Sequence, residues 1–167
     1  ANTMNPVILG IGNAIPQVAS QAFASGGVRK AVRTAGQYTL FGMAPILAIC
    51  VLGLVMPSRI LEAVYGPSSP YLDGATCIRI LVVAGVLDYI AEMIGKTLLG
   101  IQSGRLALLI NVAAVAVALV LGLALVETQG VFGACLALAA ANLVRAMGAV
   151  AAILWRMAAT APIALTR

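Results

Sequence analysis

Two stretches of this chain, residues 34–58 and 106–126, contain no aspartate, glutamate, lysine or arginine. Runs of that length and apolarity match the roughly 20 residues an α-helix needs to cross about 30 Å of hydrocarbon. The chain is therefore read as all-α, a polytopic transmembrane helix bundle. Composition points the same way: 62% of residues are hydrophobic and 9% charged, whereas an ordinary soluble domain is about 25% charged. Within the 167 residues no polar stretch is long enough for a second, soluble domain, so residues 1–167 are taken as one bundle.

Turn signals divide the bundle. Pro57 ends a first full span at 39–57, and Tyr65-Gly66-Pro67-Ser68-Ser69-Pro70 is too rich in turn residues to continue a helix. Between them, residues 59–64 suit a short interfacial turn of helix. A second span covers 74–101. Gln102-Ser103-Gly104 then forms a hairpin, a third span covers 106–126, Glu127-Thr128-Gln129-Gly130 turns the chain, and a fourth span covers 131–157. Gly133, Ala137 and Ala141, four residues apart, permit close helix contact. Upstream, 5–24 is apolar but carries Pro6, Gly10, Gly12 and Pro16, so an irregular or partial span is expected there. A basic connector at 25–36 follows it.

The basic residues orient these spans. Arg29, Lys30 and Arg33 precede the first full span, Lys96 and Arg105 flank the hairpin, and Arg156 and Arg167 follow the last span, all on one side. The positive-inside rule makes that side cytoplasmic and places the C-terminus there; the expected location is the cytoplasmic (inner) membrane. The net charge of +5 is thus topological. Its cations form no stripe of the kind that tracks nucleic acid, and no nucleic-acid partner is expected. Cys50, Cys77 and Cys135 are odd in number and set in apolar sequence, and the chain has no histidine, so neither a disulfide nor a metal site is expected.

Against this background the span at 74–101 is anomalous, because it holds Arg79, Asp88, Glu92 and Lys96. A charge at the bilayer centre costs at least about 2.5–3.5 kcal/mol on insertion scales and normally faces protein or a wet cavity. Asp88, Glu92 and Lys96 form a slanting row on one face, with Glu92 and Lys96 at the favoured i,i+4 spacing. Arg79 lies about 13 Å further along the axis, at the outer interface, where it can snorkel, pair with Asp73 or meet a ligand phosphate. Arg145 lies near the middle of the last span, which runs in the same direction as the Asp88 helix, so the two can meet at one depth. An Asp88–Arg145 pair is a structural staple; an Arg145 facing a lumen can instead attract a pyrophosphate through its forked guanidinium. Asn111 and Asn142 are expected to hydrogen-bond between helices.

The order of features resembles the polysaccharide or oligosaccharide flippases of the multidrug, oligosaccharidyl-lipid and polysaccharide exporter superfamily. Asn5-Pro6, Gly10, Ile15-Pro16 and Ala19-Ser20 are similar to the helix that precedes their basic cytoplasmic connector, here Gly26-Gly27-Val28-Arg29-Lys30-Ala31-Val32-Arg33. Ile60-Leu61-Glu62-Ala63-Val64-Tyr65-Gly66, then Ala75 and Ile78-Arg79-Ile80-Leu81, resembles their outer loop leading into an Arg-containing helix. Gly130-Val131-Phe132-Gly133-Ala134-Cys135-Leu136-Ala137 is similar to their glycine-marked start of a late helix. The resemblance implies most of the C-terminal half of a transporter of about twelve helices, with a matching N-terminal half as its missing partner. Ala1 in place of an initiator methionine fits an internal or C-terminal fragment.

The expected function is transport of a lipid-linked oligosaccharide by alternating access. Asp88, Glu92, Lys96, Arg145 and Arg79 would lie on the substrate or ion pathway, and Arg29, Lys30 and Arg33 at its cytoplasmic entrance, drawing anionic headgroups or a diphosphate. The carboxylates are candidates for a coupling proton or sodium ion; no other cofactor is expected. A multidrug cation antiporter of the same superfamily is the first alternative, and basic residues in the lumen count against it. A membrane assembly subunit that transports nothing is the second. No enzyme is expected, because no serine or cysteine stands near a plausible general base and Gly10-Ile11-Gly12 is too short for a nucleotide loop.

Overall fold

A computed structural model of the chain describes residues 5–67 and 74–159. Among the described residues the fold is all-helical: α1 (Asn5–Val55), α2 (Pro57–Tyr65), α3 (Ala75–Gly100) and α4 (Gly104–Ala159). From Leu9 onward α1, and α4 throughout, are long and apolar enough to cross a membrane. Their outer faces carry large apolar side chains open to the surroundings, such as Phe41 at 84% and Leu123 at 70% exposure. Water would penalise surface of this kind, whereas hydrocarbon does not.

Both long helices fold back on themselves at glycine. In α1 only Gly26 and Gly27 leave helical geometry, and Gly27, at φ 71° and ψ −169°, occupies a region that essentially only glycine visits. Ile11 fills the space beside Gly42, although residues 11 and 42 of a straight helix would stand about 46 Å apart. The arms 5–25 and 28–55 therefore run antiparallel. Gly130 (φ 57°, ψ −131°) does the same for α4. Gly133 lies against the Leu125 carbonyl, Asn111 meets Arg145, and Ile110 meets Gly148, pairs that nest inside one another as an antiparallel hairpin requires.

These hinges are tighter than the sequence suggests. The basic connector expected at 25–36 shrinks to two glycines, and Arg29, Lys30 and Arg33 already belong to the second arm of α1. The turn expected at Glu127 to Gly130 shrinks to Gly130 alone. The first arm is regular helix from Asn5, without the irregularity that Pro16 suggests; Pro16 and Pro45 both lie inside helix. Polar residues near a helix end read as loop, but a solvated helix end tolerates them as well as a loop does.

Between α1 and α3, α2 starts with Pro57 in its first turn, where the missing N–H costs nothing, and ends at Gly66, whose N–H donates to Glu62 O at 2.8 Å. Residues 68–70 of the expected loop, and Asp73, lie outside the described residues. The turn from α3 to α4 falls where the sequence puts it. Ser103 N donates to Leu98 O at 2.8 Å and Gln102 N to Leu99 O at 3.1 Å, the paired bonds of a Schellman cap, with Gln102 at φ 58° in the position glycine usually takes.

The central element is α3, since α1 and α4 each pack extensively on it and scarcely on each other. One buried cluster joins Ile15, Ile46, Tyr89 and Met93, and a second joins Val28, Leu98, Ile101 and Ile153. Tyr89 is fully buried, and its hydroxyl donates to the Thr39 carbonyl at 2.7 Å. The Asp88–Arg145 and Ala84–Asn142 contacts ascend together, so α3 and the second arm of α4 are parallel neighbours.

Candidate functional site: a charge network on the central helix

The second arm of α4 brings Arg145 to the charged face of α3, and each nitrogen of its guanidinium finds an acceptor. Nη1 donates to Asp88 Oδ1 at 2.7 Å, Nε donates to Asn111 Oδ1 at 2.7 Å, and Nη2 donates to Glu92 Oε2. The other Glu92 oxygen, Oε1, lies 3.6 Å from Lys96 Nζ. Two carboxylates and two cations thus form a network with no net charge. It joins α3 to both arms of α4, because Asn111 sits on the first arm and Arg145 on the second.

A third element closes over the network. A Cβ at Gly12, in the first arm of α1, would lie 2.6 Å from Lys96 Nζ. The lysine head therefore rests where Gly12 has no side chain. Arg145 and Lys96 are largely covered, at 20% and 16% side-chain exposure, while Asp88 at 35% and Glu92 at 29% are more open. Two grooves adjoin the network. One of about 250 Å³ is bounded by Glu92, Lys96, Gly104 and Leu108, the other of about 320 Å³ by Ala114, Leu138 and Asn142, and Asn111 and Arg145 line both.

Four of the residues singled out by sequence, Asp88, Glu92, Lys96 and Arg145, are therefore in one place. Arg79 is exposed in the second turn of α3 and takes part in none of these ion pairs. Arg29, Lys30 and Arg33 are exposed at the start of the second arm of α1, apart from the network. Asn142 Nδ2 donates to the Ala84 carbonyl at 3.0 Å, an interhelical bond with no charged partner. From sequence, Gly12 reads only as a source of irregularity in the first span, and Asn111 only as a generic interhelical bond. Spacing gives no signal for either, since each meets the network through a helix distant in sequence. Among the described residues no group of three or more histidine, cysteine, aspartate or glutamate side chains is placed to hold a metal ion.

Chemically, the arrangement is a guanidinium shared between two carboxylates. Asp88 and Glu92 compete for one arginine, and among the described residues only Glu92 has a second cation in reach. Adding a proton or a monovalent cation at either carboxylate changes the net charge of the cluster and weakens one of the links between α3 and α4. No family model, no curated protein and no solved structure matches this chain.

Proposed function

We propose that the chain is part of a membrane transporter that moves a lipid-linked oligosaccharide by alternating access, as its resemblance to the polysaccharide flippases implies. In this proposal both arms of α1, α3, and both arms of α4 cross the cytoplasmic membrane, the first arm of α1 as the partial span. The C-terminus and the Arg29 end face the cytoplasm, and a second half of similar architecture completes the lumen. One observation carries it: the helix at the centre of the bundle is the charged one, and its charges reach three other helical arms while lining grooves.

The carboxylates take up the coupling proton or sodium ion. Its arrival loosens Arg145 from one of its two acidic partners, and the second arm of α4 moves relative to α3. Arg145 acts through this exchange of partners and not as a standing pyrophosphate receptor, because each of its nitrogens is engaged. That same engagement favours a second reading, an assembly subunit in which the network only fixes helix partners.

The two separate in one experiment. Full-length protein is reconstituted in liposomes holding a fluorescent lipid-linked oligosaccharide, and flipping is followed with and without proton and sodium gradients. Gradient-dependent flipping that is lost in both Arg145→Ala and the Asp88→Arg/Arg145→Asp swap, while both still insert, supports transport. No flipping under any gradient overturns it. Restoration of wild-type flipping by the swap makes the Asp88–Arg145 pair a structural link within a transporter, whereas the assembly reading expects no flipping in the wild type.

A further inference from the structure

Away from the charge network, a groove of about 340 Å³ runs between the second arms of α1 and α4, with α3 as its floor. Val32, Gly36 and Met43 form one wall, Ile90 and Ile94 the floor, and Leu154 the other wall. It exists because α1 and α4 both pack on α3 and scarcely touch each other, and because Gly36 contributes no side chain.

The lining offers nothing to a polar ligand. The Thr39 hydroxyl donates to the Ala35 carbonyl at 2.9 Å and the Thr97 hydroxyl to the Met93 carbonyl at 2.9 Å. The Thr39 carbonyl itself accepts from Tyr89. With these groups committed, the groove presents hydrocarbon alone, which suits an alkyl chain.

Its length and its end are equally specific. From Val32 to Met43 the wall rises about 16 Å at 1.5 Å per residue, close to the thickness of one leaflet, half of about 30 Å of hydrocarbon. Arg29 precedes Val32 by three residues and Arg33 precedes Gly36 by three, so both continue the stripe that lines the groove, at its Val32 end. Both are exposed. Val32 and Ile153 belong to one packing cluster, which puts the α4 wall at the same end. An apolar slot one leaflet long with two arginines at its mouth is complementary to an anionic lipid.

We infer that this groove binds a single anionic phospholipid, with its phosphate at Arg29 and Arg33 and one acyl chain lying over Gly36. The inference rests on the membrane placement proposed above and on no particular cargo. The lipid fills the gap between the α1 and α4 hairpins and bridges them.

The chain is expressed, its partition into the membrane fraction is measured, and it is extracted in mild detergent. Native mass spectrometry then follows retention of added phosphatidylglycerol and phosphatidylcholine. The wild type is expected to keep one phosphatidylglycerol in preference to phosphatidylcholine by roughly tenfold or more, as two basic residues near an anionic group allow. Arg29→Gln/Arg33→Gln abolishes the preference. A Cβ at position 36 meets nothing within 4 Å, so Gly36→Leu puts its side chain into the groove from an unobstructed start and improves helix propensity. It is expected to retain neither lipid while its circular dichroism stays that of the wild type.

Equal retention of the two lipids by the wild type, or wild-type retention of phosphatidylglycerol by Gly36→Leu, overturns the site and leaves the membrane placement standing. Recovery of the chain outside the membrane fraction overturns both.

Discussion

On the side facing α1, α3 is held by packing: Tyr89 and Met93 are fully buried among Ile15, Ile46 and Cys50, and the Tyr89 hydroxyl donates to the Thr39 carbonyl across the seam. On the side facing α4 the same helix is held by the Arg145 network and by Asn142, with small residues such as Ala137 and Ala141 buried beside them. In the membrane placement proposed above, the hydrophobic effect does little to join apolar helices, so the first seam depends on shape and close contact. The second depends on the cost of leaving charges without partners. A packed seam changes stability in small steps as contacts are lost. A charged seam can exchange partners, and it is the side better suited to move.

The two seams should respond differently when broken. Arg145→Ala is expected to have the largest effect, about 3 kcal/mol, because it leaves Asp88 and Glu92 facing each other with only Lys96 as compensation; denaturant titration of the purified protein in micelles measures it. In the same assay Met93→Ala should cost about 2 kcal/mol on the packed side. Its cost is mostly cavity and lost dispersion, so it should change little with salt, and equal salt sensitivity of the two variants would erase the distinction between the seams. Tyr89→Phe removes one buried hydrogen bond and leaves the ring in place, for a loss of about 1 kcal/mol. Gln102→Gly relieves a positive φ at the α3–α4 turn and should stabilise by somewhat under about 1 kcal/mol. That last change touches neither seam and serves as a baseline for both.

How far sequence reasoning reached can be followed through particular residues. The meeting of Asp88 with Arg145 was legible by counting along two spans that run in the same direction, because depth in a membrane follows from rise per residue. The second hold of Arg145 on Glu92 was not legible. Glu92 has an obvious partner four residues on, and nothing in the spacing says that its two oxygens divide between Lys96 and Arg145. Gly12 was unreadable for the opposite reason, since its role is an absence of side chain that matters only once the first arm of α1 folds back over α3. Helix content was legible from the apolar runs, but the hinges were overestimated in length, because one or two glycines turn a helix as sharply as a longer loop does.

Gly130 also bears on the making of the protein. In the membrane placement proposed above, with one residue between the two arms of α4, neither arm has slack to enter a bilayer well before the other, and the hairpin would insert as a unit. In that placement Arg145 would enter already opposite Asn111, its hydrogen-bond partner on the other arm. It follows α3 in the chain, so its acceptors Asp88 and Glu92 are synthesised first. The order of residues along the chain thus doubles as an order of delivery, in which acceptors arrive ahead of the cation that needs them.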